Sequence, residues 1–237
     1  MKIYLSLIFF LALSSSALPA ALSLEEQLFE AVYKNLPEKM HPLLAQGANP
    51  NTRNNQNNTP LLWAAKNGRA ECLRLLLECE KTDAATIDAR DVINRSALHL
   101  AAKGGHLECL RLLLAKNADI NAYGYQDSTP LHAAAQEGHS ECVALLINAG
   151  AEVDVVNLDG QTALHCTAIS GNSGCVTLLL QAGADANAVV TSDCQGHLGA
   201  TALDLALRFK NTECAAVLGG DADQETQTLS DDESADY

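Results

Sequence analysis

Five segments of this 237-residue chain are copies of one another, and that self-similarity restricts the fold more than any other property. TPLLWAAKNGRAECLRLLL from Thr59 aligns with SALHLAAKGGHLECLRLLL from Ser96 and with TPLHAAAQEGHSECVALLI from Thr129. TALHCTAISGNSGCVTLLL from Thr162 and TALDLALRFKNTECAAVL from Thr201 complete the series. The starts lie 37, 33, 33 and 39 residues apart, which gives a base period of 33. At that period one supersecondary unit cannot bury its apolar face alone, and stability comes from stacking unit on unit. LFEAVYKNLPEKMHPLLAQGANPN from Leu28 is a degenerate earlier copy, so the stack holds about six.

Each copy is patterned as helix, turn, helix and projecting loop. Thr59, Ser96, Thr129, Thr162 and Thr201 are predicted N-caps, whose hydroxyls satisfy backbone N–H groups at a helix start. Pro60 and Pro130 follow at the first helical position, where the missing donor costs nothing. Gly68, Gly105, Gly138 and Gly171 end the first helix. The second helix carries the Leu-rich triplet and stops before Gly47, Gly150 or Gly183. Two insertions depart from the period. Four extra residues between Leu77 and Ile87 predict about one added helical turn after the second helix. The finger from Asn187 to Thr201 is six residues longer than Asn121 to Thr129. In the last copy Lys210 replaces the turn glycine and Asp204 the histidine, as a terminal cap requires.

The T-P-L-H-x-A motif at this period resembles the ankyrin family, over residues 24 to 219. The resemblance implies an all-α ankyrin-repeat solenoid, stacked helix-turn-helix pairs whose loops project as β-hairpin fingers and whose first helices line a concave face. Its repeats would run about 24–56, 57–93, 94–126, 127–159, 160–198 and 199–219. It also implies that His99, His132 and His165, at the fourth motif position, hydrogen-bond backbone to brace the turn.

Composition narrows the partners. Hydrophobic residues make up 48% and aromatic ones only 4%, so the core must be Leu, Ala, Val and Cys. A net charge of −14 argues against nucleic acid and against anionic lipid, since both demand a basic face. Residues 220–237 hold seven acidic side chains and no basic one, the composition of a disordered, solubilising tail. At the other end Lys2, an apolar run from Ile3 to Leu13 and small residues after it form a signal-peptide pattern over 1–20, with cleavage after Ala17 or Ala20. The run is too short to anchor the chain in a membrane.

Cysteine and histidine are mostly explained by register. Cys72, Cys109, Cys142, Cys175 and Cys214 each lie thirteen residues after their cap and so occupy one position in five stacked helices. Axes ~8–10 Å apart hold such positions beyond disulfide reach, which makes them small buried hydrophobes. His106 and His139 follow the turn glycine, again in register. Cys194 and His197, in the lengthened finger, lie outside the register and supply two potential metal ligands, whereas a structural zinc site wants four. No phosphate loop, HExxH, GxSxG or EF-hand loop is present. The sequence therefore points to a non-catalytic scaffold with no cofactor and no metal, monomeric, that binds a protein partner through its concave face and finger loops.

A partner surface must use positions that packing leaves free. Tyr123 and Tyr125 hold finger-tip positions, matched by Arg90 and Val92 and by Val156 and Leu158. Trp63 holds the fifth motif position, matched by Leu100. With Cys194 and His197 of the long finger these residues form the expected contact stripe, because Trp and Tyr are common interface anchors. The competing reading of Trp63 is packing against the next repeat. A signal peptide places the scaffold outside the cell or in a periplasm; without cleavage it would act in a cytoplasm or after delivery into a host cell. A thiol- or metal-responsive regulator built on Cys194 and His197 is the alternative of another class.

Overall fold

A computed structural model of the chain describes residues 22–192 and 196–219, and the expected signal peptide, the acidic tail and Cys194 lie outside them. The described residues form paired helices. The pairs are α1 (Leu24–Lys34) with α2 (Pro37–Ala45), α3 (Pro60–Lys66) with α4 (Ala70–Glu78), and α6 (Ala97–Lys103) with α7 (Leu107–Ala115). α8 (Pro130–Glu137) with α9 (Ser140–Asn148), α10 (Ala163–Ser170) with α11 (Ser173–Gln181), and α12 (Ala202–Arg208) with α13 (Thr212–Val217) follow. First helices pack on first helices and second on second, so the stack has two layers with one continuous core between them. α5 (Ala84–Ile87) holds the insertion. The added turn is not continuous with α4; the backbone turns extended at Cys79, and Asp83 caps a separate one-turn helix by accepting from the Thr86 N–H at 2.8 Å.

The caps form as the sequence demands. The Thr59 hydroxyl accepts from the Leu62 N–H at 3.2 Å, and Thr201 accepts from the Asp204 N–H at 3.2 Å. His99, His132 and His165 replace the usual third-position carboxylate of a capping box. Their Nδ1 atoms accept from the N–H of Ser96, Thr129 and Thr162 at 3.3, 3.2 and 3.1 Å. Their Nε2–H groups donate to the carbonyls of Ser128, Gln161 and Ala188 at 2.9, 3.0 and 3.0 Å. A carbonyl only accepts, so the proton sits on Nε2. Burial drives all three pKa values down, to about 4 for His99, and the rings are neutral braces.

A second ladder ties repeats together at the turns. His106 Nε2–H donates to Lys66 O and His139 Nε2–H to Lys103 O, both at 3.1 Å. Asn172 and Asn211 do the same by amide, to Ala135 and Gln136 and to Ala168 and Ile169. Each reaches back to the first helix of the repeat before it. The turn glycine is therefore needed twice over. Gly105 has φ +67°, and a Cβ there would stand 2.7 Å from the His139 ring. Lys210 takes φ +59° at the same position in the last described repeat, and no later helix pair follows it among the described residues.

The register cysteines are buried at 0–1% exposure, and the described cysteines are all free thiols. Burial, the dominant cause, pushes Cys109 up to about 12 and Cys142 up to about 11. These are inert seam residues.

Candidate partner-binding face

The first four fingers close on themselves by one backbone bond, and three of them add a side-chain bond. Five residues before each cap, Asn54, Asp91, Gly124 and Asn157 donate their N–H to the carbonyls of Asn58, Arg95, Ser128 and Gln161 at 2.9–3.0 Å. In three of the four the side chain then accepts the returning N–H: Asn54 from Asn58, Asp91 from Arg95 and Asn157 from Gln161. Gly124 has no side chain, and a Cβ there would meet the His99 ring at 2.6 Å. The fingers are hairpins by their turns. Among the described residues no strand of ladder length forms, and Val189 pairs with Thr201 as an isolated antiparallel bridge.

Neighbouring fingers are also tied together. Arg53 Nη1 donates to Arg90 O at 3.0 Å, and Arg90 Nη1 donates to Tyr123 O at 2.9 Å. Backbone bonds carry the link onwards, from Leu158 N–H to Gln126 O at 2.9 Å and from Thr191 N–H to Gly160 O at 3.2 Å. Arg95 forks onto Asp91 Oδ2 at 2.7 and 2.9 Å. Burial works against the Asp91 carboxylate, but bonds from Arg95 and Ile93 outweigh it and hold its pKa below the ordinary value.

The tips face solvent. Val92 is 68% exposed, Tyr123 55%, Tyr125 53%, Val156 46% and Leu158 58%. Ile93, Val189 and Leu198 extend the row, and register alone did not single them out. A tip position seldom needs an apolar side chain, so a run of them across consecutive fingers was the available signal.

Other expected contact residues sit elsewhere. Leu100 is 3% exposed and belongs to the core between α3 and α6; it cannot act as an exposed anchor. Arg90 braces the fingers with its guanidinium. Trp63 packs neither forward nor freely. Its ring lies 5.5 Å from Tyr33 and 6.5 Å from Phe29, both on α1 of the repeat before it, with Lys66 Nζ 5.6 Å above its face. Phe29 and Tyr33 are four residues apart on one helix face, which is the spacing that could have predicted this cluster. His197 is 7% exposed; its Nδ1 accepts from Arg208 Nη1 at 3.1 Å, and its ring meets Phe209 edge-on at 5.6 Å. It is packed against α12 and is not an open ligand. Among the described residues no three His, Cys, Asp or Glu side chains converge on a metal-sized site, and no helix is long and apolar enough to cross a membrane.

A family model described as ankyrin repeats (3 copies) matches residues 28–124 and again 131–228. The chain belongs to the ankyrin-repeat family. Ankyrin repeats mediate protein–protein interaction, and the family is typically a non-catalytic scaffold. The crystal structure of an ankyrin repeat domain from Acinetobacter baumannii AYE is similar at a TM-score of 0.70 and 30% identity, over 81% of this chain and 95% of that one. No curated protein matches the chain.

Proposed function

We propose that this ankyrin-repeat chain is an exported, monomeric, non-catalytic scaffold that holds a protein partner along its finger tips. The observation that carries the reading is the exposed apolar row from Val92 and Ile93 through Tyr123, Tyr125, Val156 and Leu158 to Val189 and Leu198. Exposed apolar side chains gathered in one strip mark an interaction site. Because the fingers are hydrogen-bonded to one another, little entropy is lost in presenting the strip. The aromatic pair at the middle finger supplies rigid anchors. Export rests on the pattern of residues 1–20.

The test is capture of partners from the native compartment by the wild-type chain and by a Tyr123→Ala, Tyr125→Ala, Leu158→Ala variant. We expect the variant to melt like wild type and to lose the partner. Undiminished capture would exclude the row. The intact mass of the native protein checks export: loss of the leader from an exported fraction supports it, and a full-length cytosolic species overturns it.

A further inference from the structure

Charge is distributed along this solenoid with a marked polarity. Twelve of its fifteen Lys and Arg residues fall between positions 22 and 116, while residues 117–207 contain ten Asp or Glu and not one Lys or Arg. Several of the basic residues are committed. Arg53 and Arg90 brace fingers, and Arg74 pairs with Glu71 and Glu78 on the second-helix layer. Lys66 and Lys103 are different. They occupy the same register position on α3 and α6, seven residues after each cap, and both are exposed.

Between them lies a concavity of about 200 Å3, lined by Lys66, Arg95, Leu100, Lys103 and Gly104. First helices form its floor and the base of a finger its wall, with the Trp63–Tyr33–Phe29 cluster adjoining at Lys66. The carboxylates in reach are few. Asp91 is consumed by Arg95 and by backbone, with its side chain 4% exposed. Glu137 of α8 approaches Lys103 at 3.4 Å across two exposed side chains, a pairing that a competing carboxylate can replace at little cost.

We infer that this basic, aromatic-edged concavity on α3 and α6 takes an acidic, apolar-containing polypeptide segment of the partner protein. The inference rests on the scaffold reading and specifies where and by what chemistry the partner is held. Lys66 and Lys103 supply cationic partners for carboxylates, while Trp63 and Tyr33 supply the apolar contact. The acid of residues 117–207 repels the same segment from the other half, so polarity fixes its register. Intramolecular docking of the chain's own acidic residues 221–237 is disfavoured, because Leu229 and Tyr237 are the only large apolar side chains they could bring to Trp63 and Tyr33.

Trp63 is the sole tryptophan, so its emission reports on the site directly. The probes are a labelled short peptide alternating glutamate pairs with leucine, its lysine counterpart, and a single-stranded oligonucleotide of equal charge. The expected result is binding of the glutamate peptide only, with a shift in Trp63 emission and an affinity that falls as salt rises. Lys66→Glu with Lys103→Glu should weaken it by about tenfold or more. Arg111→Glu with Lys116→Glu, the same charge change on the second-helix layer, should leave it within about twofold. Equal loss in both variants, equal binding of the oligonucleotide, or no binding of the glutamate peptide overturns the inference. A chain truncated after Gly219 that binds the probe where the full chain does not would assign the site to the protein's own C-terminal residues and overturn the partner assignment. None of these outcomes touches the finger row, whose failure is read separately in the Tyr123, Tyr125 and Leu158 variant.

Discussion

Replacing Gly105 by alanine tests the turn ladder at its tightest point. At φ +67° the new Cβ carries the left-handed penalty, ~1–2 kcal/mol. It would also stand 2.7 Å from the His139 ring, which must move and give up its bond to Lys103 O, worth ~1 kcal/mol. The expected loss is ~2–3 kcal/mol, a fall in Tm of roughly 5–10 °C for an array of this size. Three further variants separate the causes. His139→Ala alone should cost ~1 kcal/mol. Once the ring is gone the alanine has room, so the double variant should cost about the same as Gly105→Ala, and the two changes should be non-additive by ~1 kcal/mol. Gly183→Ala has φ +89° but no atom within 4 Å of its Cβ, so it should carry the conformational cost alone and add to His139→Ala without coupling. Urea unfolding followed by circular dichroism measures all four. Strict additivity at Gly105 and His139, within ~0.3–0.5 kcal/mol, would refute the collision as the reason for glycine there.

Lys210→Gly should raise stability by ~0.5 kcal/mol, since relief of a left-handed lysine exceeds the entropy of a glycine at this turn. Stability should fall with acid between about pH 6.5 and about pH 4: His99 has its folded pKa lowered to about 4, so the unfolded chain binds protons first through that window, at up to ~3 kcal/mol for this ring. The effect of His99 should be absent above pH 7 and level off below pH 4, and a His99→Ala variant with an unaltered pH profile would exclude it. In the native protein Cys79, half-buried, should alkylate ahead of the other described cysteines, with Cys72, Cys109, Cys142, Cys175 and Cys214 reacting on the timescale of unfolding. Peptide mapping after timed alkylation reads the order.

What register governs was legible in the chain. Caps at Thr59 or Thr129, the reach of His132 to Gln161 and the cysteine seam follow from one position repeated at one spacing, because stacked copies meet like parts with like. What escaped is contact between unlike parts. Leu100 shares a motif position with Trp63, yet it is covered in the core while Trp63 lies against α1. His197 lies in a finger of unusual length, so no sibling position announces that Arg208 and Phe209 will enclose it. The insertion at 80–83 could be counted from spacing, but whether it extended α4 or formed its own helix depended on the Asp83 cap. The apolar tips were visible as residue types, whereas the bonds that join finger to finger depend on three-dimensional overlap of successive loops.

The direction of the two ladders sets an order of events at birth. His106 and His139 close the turn of the repeat that precedes them, and Ser128 and Gln161, which receive His99 and His132, belong to the repeat that follows. A repeat is thus finished only by its successor. On a ribosome that delivers the N-terminus first, folding must trail synthesis by one full copy, with the newest helix pair waiting open. A nascent chain halted between Gly138 and Asn172 would keep the fourth turn without the amide that completes it.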